Sequence, residues 1–491
     1  MKVRVRMYRQ GLGDCFLLTF DPGGKEKHIL IDCGSLGATT TGIKMPEVVK
    51  DITTTTKNHL NLVIATHEHK DHLSGFNTGK EDFKKTKVDN VWLAWTEDPK
   101  DPLARSLAKS KKDLGEALAA ASEALTKSAS ATSQAIGAAV QDLITFFGDE
   151  GVLGAGKFSE TIDAAMDFVR TGLGAKPEFH NPGDGPLEEA WLPGFRFYVL
   201  GPPRDKGALD DTGEHGSSEL YGIAAGLQAA ANFHLSGKGK NPYAKPNGAQ
   251  QDEREMPFES GYRCDSNDAK VGTLRNTYFA NSEQWRRVDE DWLHMSAELA
   301  LQLDSSTNNT SLALAIERIS DGKVLLFPAD AQQGNWLSWH GDKMVWQVQE
   351  GGRKREVKIG DLLARTVFYK VGHHSSHNAT AKAKGLELMT QEDELTAFIP
   401  VDRAVALTRN PKGSWKMPAR NLYLRLLQKC QGRVMRSDLG WADDASNAAD
   451  KSVEKEFVGM GTAADWKNWH KAQAAAAHVK TEALYIDYTL N

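Results

Sequence analysis

Residues 66–72 read THEHKDH, a segment that places three histidines and two acidic residues in seven positions. It follows the apolar run LNLVIA, which predicts a buried strand that ends at a polar loop. On extended backbone His67 and His69 lie on the same side and can present their imidazoles to one ion, while Asp71 and His72 continue round the turn to a neighbouring position. Imidazole and carboxylate ligands suit zinc or manganese. The HxHxDH spacing therefore predicts a site for two divalent ions, with a solvated polar loop as the alternative interpretation.

Two later apolar runs end in further metal-binding residue types. Asp330 ends KVLLFPAD, and His373 and His374 end RTVFYKVGHH. An acidic residue directly after a buried strand is costly unless it is solvated, caps a helix or coordinates a cation. We expect Asp330 to coordinate. Helix N-capping remains the rival role, because AQQGNWLSW can begin a helix.

The composition is that of a globular protein, with 40% hydrophobic and 25% charged residues in a chain of 491. A net charge of -5 gives no general attraction to polyanions. The four cysteines form no CxxC pair, which favours a reducing compartment over a disulfide framework. The N-terminal segment lacks a signal-peptide core, and no apolar run reaches the length of about 18 residues that a membrane helix needs. These features predict a cytoplasmic protein that does not associate with membranes.

Strand-like and helical segments alternate along the chain, which predicts one α/β core over residues 1–491 rather than a string of domains. Residues 97–190 form a mainly helical insertion, because apolar and small residues recur there at helical spacing from Leu103 to Phe147. That stripe fits one long helix or a hairpin of two. Residues 204–304 form a second insertion that is polar and partly loop, with one helix around 285–303. Residues 442–491 add a C-terminal helix and strand.

Six segments in this order carry a family resemblance: GLGDC, ILIDCGS, THEHKDHLSGF, NNTSLAL, LLFPAD and YKVGHHSS. Together they resemble the metallo-β-lactamase fold. They are most similar to the branch that includes the ComEC-like domain of DNA-uptake competence proteins and its stand-alone soluble relatives. The resemblance runs from about Val3 to Trp441 and implies an αββα sandwich with a dinuclear site at one edge of its sheets.

The resemblance also implies a role for each candidate ligand. His67 and His69 would hold one metal, and Asp71 and His72 the other. Asp330 would bridge the two ions, and either His373 or His374 would complete the second site. The implied cofactors are two divalent ions, zinc in the first place and manganese as the other choice.

This sequence departs from the family pattern at two places. Relatives often supply a third histidine to the first metal from a loop after a middle strand, whereas the corresponding stretch here is VLGPP. His180 or His215 could fold back to replace it, or water and substrate could fill the position. Relatives also read HHGS where this chain has HHSS, so Ser375 stands in place of a glycine.

A pair of divalent ions activates water for hydrolysis, and Asp71 is the candidate to orient that water or accept its proton. The family branch implies a phosphodiesterase or nuclease. Lys370, Ser375 and Ser376 are candidates for binding a phosphate, with a solvated lysine as the alternative for Lys370. Glu68 and Lys70 are expected to face solvent or support the ligands. Two other functions stay open: hydrolysis of a small ester, lactone or thioester, and a non-catalytic binding or scaffold module on the same fold.

Overall fold

The structure is a computed structural model. It describes residues 1–127, 131–147, 160–211, 296, 300–350, 352–408, 415–439, 471 and 478–491. Among these residues no helix combines the length and the apolar character that crossing a membrane requires. Most of the predicted second insertion and of the predicted C-terminal helix lies outside the described residues. His215 and Cys264 lie outside them too. Cys15, Cys33 and Cys430 are buried free thiols.

The described residues form strands and helices that we number in chain order. The strands are β1 (Lys2–Tyr8), β2 (Cys15–Asp21), β3 (Lys27–Cys33), β4 (His59–Leu60), β5 (Leu62–Ala65), β6 (Lys87–Val88), β7 (Val91–Ala94), β8 (Pro177–His180), β9 (Phe195–Gly201), β10 (Ala313–Arg318), β11 (Val324–Phe327), β12 (Val345–Glu350), β13 (Arg353–Lys358), β14 (Thr366–Lys370), β15 (Thr396–Ile399), β16 (Val434–Arg436), β17 (Val479–Thr481) and β18 (Tyr485–Leu490). The helices are α1 (Met45–Thr55), α2 (Lys70–Thr78), α3 (Lys80–Phe83), α4 (Pro102–Thr126), α5 (Ala131–Ile144), α6 (Glu160–Asp167), α7 (Lys206–Asp210), α8 (Gln333–Ser338), α9 (Ile359–Ala364), α10 (Arg403–Thr408) and α11 (Arg420–Lys429). Residues 300–308 are also helical.

Two mixed sheets dominate the fold. The larger has eight strands in the order β17-β18-β1-β2-β3-β5-β7-β8, and the smaller has six in the order β16-β15-β14-β11-β10-β9. In the larger sheet β3, β5, β7 and β8 run parallel to one another. In the smaller sheet β11, β14, β15 and β16 do the same. The α/β class expected from the sequence is therefore confirmed.

Apolar side chains from both sheets form one buried cluster, which includes Val5, Phe16 and Ile64 of the larger sheet and Leu314 and Phe368 of the smaller. Side chains along a strand alternate between the two faces of its sheet. The side chains on the opposite face of each sheet are therefore buried in two further clusters. The larger sheet shares its second cluster with residues of α1, α2 and α6. The smaller sheet shares its second cluster with residues of α8, α9 and α11.

The helical stripe in the predicted first insertion is two helices, α4 and α5. Asp101 caps the start of α4 by accepting hydrogen bonds from the backbone N–H groups of Leu103 and Ala104, with Pro102 at the first helical position. The predicted helical region of residues 97–190 also contains β8, which pairs with β7 in the larger sheet. This strand was missed because it is short. The C-terminal strand β18 pairs with β1 and so belongs to the same sheet.

Parallel strands bring their carboxyl ends to a common edge of a sheet, and this arrangement positions the candidate site. THEHKDH follows β5, Asp330 follows β11, and His373 and His374 follow β14. The loop before β2 closes the group, because the Asp14 N–H donates to the Asp71 carbonyl at 2.8 Å and the Gly34 N–H donates to the Asp14 carbonyl at 2.9 Å. A Cβ on Gly34 would lie 2.2 Å from the Asp71 carbonyl carbon and 2.3 Å from the His72 nitrogen. Only glycine allows this contact.

We predict that Gly34→Ala lowers the free energy of unfolding by about 1–3 kcal/mol, the usual cost of overpacking a tight contact. Urea unfolding followed by circular dichroism measures the change. Gly360→Ala is the matched control, because a Cβ there meets nothing within 4 Å. Alanine is the better helix former, so the control should be neutral or slightly stabilising. Equal midpoints for the two variants would contradict the assignment of a close contact at Gly34.

Candidate metal centre

A buried cluster of Asp14, His72, Asp330 and His374 has the composition of a metal site. One potential ligand atom from each residue lies within 4.8 Å of the others. All four residues are at most 1% exposed. Buried carboxylates and imidazoles at this spacing could hold a metal ion, since burying a charged group is unfavourable unless it is paired or coordinated.

The Nε2 atoms of His72 and His374 share one small space with two carboxylates. His72 Nε2 lies 3.2 Å from Asp330 Oδ2 and 3.7 Å from Asp71 Oδ2. His374 Nε2 lies 2.7 Å from Asp71 Oδ2 and 3.6 Å from Asp330 Oδ2. Four ligand atoms around a tetrahedral zinc ion, each about 2.0–2.1 Å from the metal, are about 3.3 Å apart. The four distances lie around that value, so these four atoms, which we call the four-ligand cup, could hold a single ion.

The opposite nitrogens of the same two imidazoles are held from outside the cup. His72 Nδ1 lies 2.8 Å from Asp32 Oδ2, and His374 Nδ1 donates to the Pro400 carbonyl at 2.7 Å. Asp32 is fixed in turn by hydrogen bonds from the N–H and hydroxyl of Thr66, at 2.8 and 2.7 Å. A partner on one ring nitrogen sets the tautomer and aims the other nitrogen at the metal. Both Nε2 atoms are thus oriented as ligands.

Lys370 is part of the site rather than a surface lysine. Its side chain is 1% exposed, and its ammonium lies 2.5 Å from Asp14 Oδ2 and 3.0 Å from Asp330 Oδ1. It also donates to the Ala329 carbonyl at 2.8 Å. The lysine holds one oxygen of Asp330 while the other oxygen faces the cup. This differs from both roles expected from the sequence, since a buried, fully paired ammonium is neither solvated nor available to a phosphate.

His67 and His69 form a second group beside the cup. His67 Nε2 and His69 Nδ1 are 3.0 Å apart, a spacing at which both could bind a common ion. His69 Nε2 lies 3.7 Å from Asp304 Oδ1, and the ring packs against Phe146 and Phe147. The structure therefore presents the paired imidazoles that the sequence suggested.

His180 does not join this pair. Its ring packs on Trp92, with centroids 4.6 Å apart, and its Nδ1 lies 3.8 Å from Asp184 Oδ2.

The two adjacent histidines after β14 have different surroundings. His374 faces the cup, whereas His373 Nδ1 lies 2.9 Å from Ser376 Oγ and its Nε2 lies 3.4 Å from Asn308. The His373 backbone N–H donates to Asp330 Oδ1 at 3.0 Å. The geometry thus favours His374 as the ligand and gives His373 a supporting role.

The backbone of this turn is strained. His373, His374 and Ser375 have φ values of 42°, 49° and 65°, a left-handed region that non-glycine residues seldom occupy. Ser375 therefore adopts a conformation that glycine accommodates most easily. Its side chain is buried, as is that of Ser376, whose hydroxyl lies against His373 and Asn378. Neither serine is presented to solvent.

The charges in the site act strongly on one another. Burial alone would lower the pKa of His72, but Asp330, Asp14 and other carboxylates raise it well above its usual value. Burial raises and Lys370 lowers the pKa of Asp330, with the net result well below its usual value. Burial also lowers the pKa of His69 to about 4, which keeps its ring neutral and able to bind a metal. The site thus combines ionised carboxylate with at least one neutral imidazole.

Three carboxylates of the site were not identified from the sequence: Asp14, Asp32 and Asp304. Asp14 directly precedes β2 and Asp32 lies within β3. Neither therefore shows the signal that identified Asp330, which follows its strand. The rival role of Asp330 as a helix N-cap is taken by Gln332. Asp304 lies in a polar stretch that offers no such signal.

Comparisons with known proteins give no assignment. No protein-family profile matches the chain, and no curated protein sequence matches it. Function must therefore be inferred from the site itself.

We predict that His374→Ala loses most of the metal bound to the cup, while His373→Ala retains it. The reason is that His374 Nε2 faces two carboxylates and His373 does not. Metal content after reconstitution with zinc and dialysis, measured by inductively coupled plasma mass spectrometry, distinguishes the two variants. The adjacent histidine serves as the control for a change in the strained turn. Equal metal loss in both variants would show that His374 is not a specific ligand.

A second prediction concerns Lys370. Lys370→Met leaves two buried carboxylates without their cation, so the metal-free protein should lose about 3–5 kcal/mol of unfolding free energy at neutral pH. Urea unfolding in the presence of a chelator measures this loss. The double variant Lys370→Met with Asp14→Asn removes one of the two charges and should recover part of it. If Lys370→Met is as stable as wild type, the ammonium does not compensate these carboxylates.

Proposed function

We propose that the protein is a metal-dependent hydrolase with an αββα sandwich of the metallo-β-lactamase type, and that it acts on a phosphodiester. The observation that carries this proposal is the four-ligand cup of Asp71, His72, Asp330 and His374, with His67 and His69 beside it. A buried set of carboxylates and imidazoles from three strand ends suits a divalent ion, zinc first and manganese second.

The two clusters that flank the shared apolar core support the sandwich assignment. One face of each sheet contributes to the shared cluster, and helices lie against the other faces. The site lies at the carboxyl ends of parallel strands in both sheets. This is the arrangement that the resemblance in THEHKDH, LLFPAD and YKVGHHSS implies.

We assign the residues of the site two roles in hydrolysis, binding metal ions and orienting the attacking water. His72, His374 and Asp330 would hold one ion, and His67 with His69 would hold a second. When bound, a divalent ion lowers the pKa of water towards neutrality and polarises a phosphoryl oxygen. Asp71 contributes more than a ligand atom, because its Oδ2 faces His374 while its Oδ1 is buried without a hydrogen-bond partner. That free oxygen can accept a hydrogen bond from the attacking water and orient it.

The choice of a phosphodiester comes from the resemblance to the ComEC-like branch. Lys370 does not bind the phosphate in this arrangement, since Asp14 and Asp330 occupy its ammonium. Phosphate charge would instead be met by the metal ions, which can stabilise both the attacking and the leaving oxygens.

We predict that the zinc- or manganese-loaded protein hydrolyses bis-p-nitrophenyl phosphate and single-stranded DNA faster than a simple lactone. Asp71→Asn keeps the side-chain shape but weakens the proton acceptor, so kcat should fall by about 100-fold or more. Asp82→Asn is the control, because Asp82 is exposed on α3. Release of p-nitrophenolate and gel analysis of the DNA provide the measurements.

Each alternative has its own outcome. Lactone turnover without phosphodiester turnover would make the protein a hydrolase of small esters. Bound metal with no turnover of any of the three substrates would favour a binding or scaffold module. Activity that is equal in Asp71→Asn and Asp82→Asn would remove Asp71 from the reaction.

A further inference from the structure

The His69 ring lacks the outer hydrogen bond that orients the other imidazoles of the metal centre. The two cup imidazoles each have a partner on the nitrogen that faces away from the cup, and His67 Nδ1 lies 3.1 Å from the Thr66 hydroxyl. In His69 the nitrogen towards His67 is Nδ1, so Nε2 is on the far side of the ring. Nε2 is buried and has no hydrogen-bond partner among the described residues. A buried N–H at this position is unfavourable until it meets an acceptor.

Asp304 lies on the far side of the His69 ring. Its Oδ1 is 3.7 Å from His69 Nε2. N–H···O hydrogen bonds are about 2.7–3.2 Å long, so a small side-chain rotation is enough to form one. The ring packs on Phe146 and Phe147, whose side chains carry no acceptor. The Asp304 side chain is 8% exposed, so little water competes with it for Nε2.

Asn308 orients the Asp304 carboxylate. Its Nδ2 donates to Asp304 Oδ2 at 3.2 Å, which leaves Oδ1 as the oxygen nearer to His69. The same Nδ2 lies 3.4 Å from His373 Nε2. Residues four apart lie on the same face of a helix. One face of helical residues 300–308 therefore contacts the metal centre at two histidines.

The segment that follows helical residues 300–308 is tied to the metal-binding loops. The Leu312 N–H donates to the Thr66 carbonyl at 2.9 Å. The Asp330 N–H donates to the Ser311 hydroxyl at 3.2 Å. These hydrogen bonds join the end of the helix to the loops after β5 and β11. The position of this helix beside the metal centre is thus set by the same strand ends that supply the ligands.

We propose that Asp304 is a positioning residue for the second ion: it accepts a hydrogen bond from His69 Nε2–H and so directs Nδ1 to the ion shared with His67. This inference rests on the proposed function, which supplies that ion. A neutral imidazole carries its proton on one nitrogen, and a carboxylate beside Nε2 favours the tautomer with the free lone pair on Nδ1. A carboxylate partner also makes the ring a stronger ligand. Asp304 is the last residue of the predicted second insertion, so the insertion takes part in setting the affinity of the second ion.

Zinc titration of the metal-free, full-length protein against a zinc-binding dye tests the proposal, because the competition gives a dissociation constant for each ion. Asp304→Leu removes the acceptor and should weaken one ion by about 10–100-fold, the usual effect of losing such a partner. The other ion should bind as in wild type, which shows that the variant is folded. His69→Ala should remove the same ion that Asp304→Leu weakens. Asp304→Asn keeps an acceptor oxygen without the charge, so its loss of affinity should be smaller.

Leu301→Ala is the matched control, because Leu301 is exposed three residues earlier on the same helical segment. It should leave both dissociation constants unchanged. Nitrogen-15 NMR of the histidine rings adds a readout that a purely structural role would not change. In the zinc-loaded wild type, His69 should carry its proton on Nε2, and this N–H should exchange faster with water in Asp304→Leu.

Three outcomes would overturn the proposal. The first is equal zinc affinity in Asp304→Leu and Leu301→Ala, and the second is equal weakening of both ions in Asp304→Asn. The third is a wild-type protein that binds a single ion or carries the His69 proton on Nδ1. Zinc binding is measured without turnover. A wild-type protein that binds two ions and hydrolyses no phosphodiester would therefore contradict the proposed substrate and leave the role of Asp304 intact.

Discussion

The structure depends on the burial of four carboxylates, Asp14, Asp32, Asp71 and Asp330, at one edge of two sheets. Each is at most 1% exposed. Removing such a group from water costs several kcal/mol unless positive charge or hydrogen bonds replace the solvent. The fold supplies Lys370 between Asp14 and Asp330, and Thr66 against Asp32. These contacts leave Oδ2 of Asp330 and Oδ2 of Asp71 beside the Nε2 atoms of His72 and His374, where a cation would complete the compensation.

This electrostatic requirement explains the unusual backbone around the site. The carboxylates come from separate parts of the fold, including β3 and α2, so these parts must approach closely enough for side chains to share a cation. Gly34 permits contact with the backbone of Asp71 and His72. Ala329, His373, His374 and Ser375 all have positive φ values. Each such residue costs of order 1–3 kcal/mol and persists only where its surroundings determine its conformation. We therefore regard this local strain as the cost of bringing Asp330 and His374 to one point.

The sequence predicted much of the site because HxHxDH is local. Seven consecutive residues contain four ligand candidates, and the apolar runs before Asp330 and His374 mark strand ends. The partners that act across the sheets were less accessible to prediction. Asp32 approaches His72 over 40 positions, and Lys370 approaches Asp14 from another sheet. Periodicity describes one strand at a time and does not specify which strand ends meet. It also misses β12 and β13, whose hairpin is polar on much of its surface.

The first insertion is closely connected to the metal loop. Phe146 and Phe147, which follow α5, pack on His69. Lys111 of α4 contacts Glu68, which lies three residues before the cup residue Asp71. The insertion therefore meets the metal loop from two directions, through aromatic contacts and through a charged pair. A helical hairpin that served only as an attached module would not need either contact. Changes in the packing of α4 and α5 should be transmitted first to Glu68 and His69, because these side chains form the shared surface. The insertion and the metal loop are thus best understood as one structural unit.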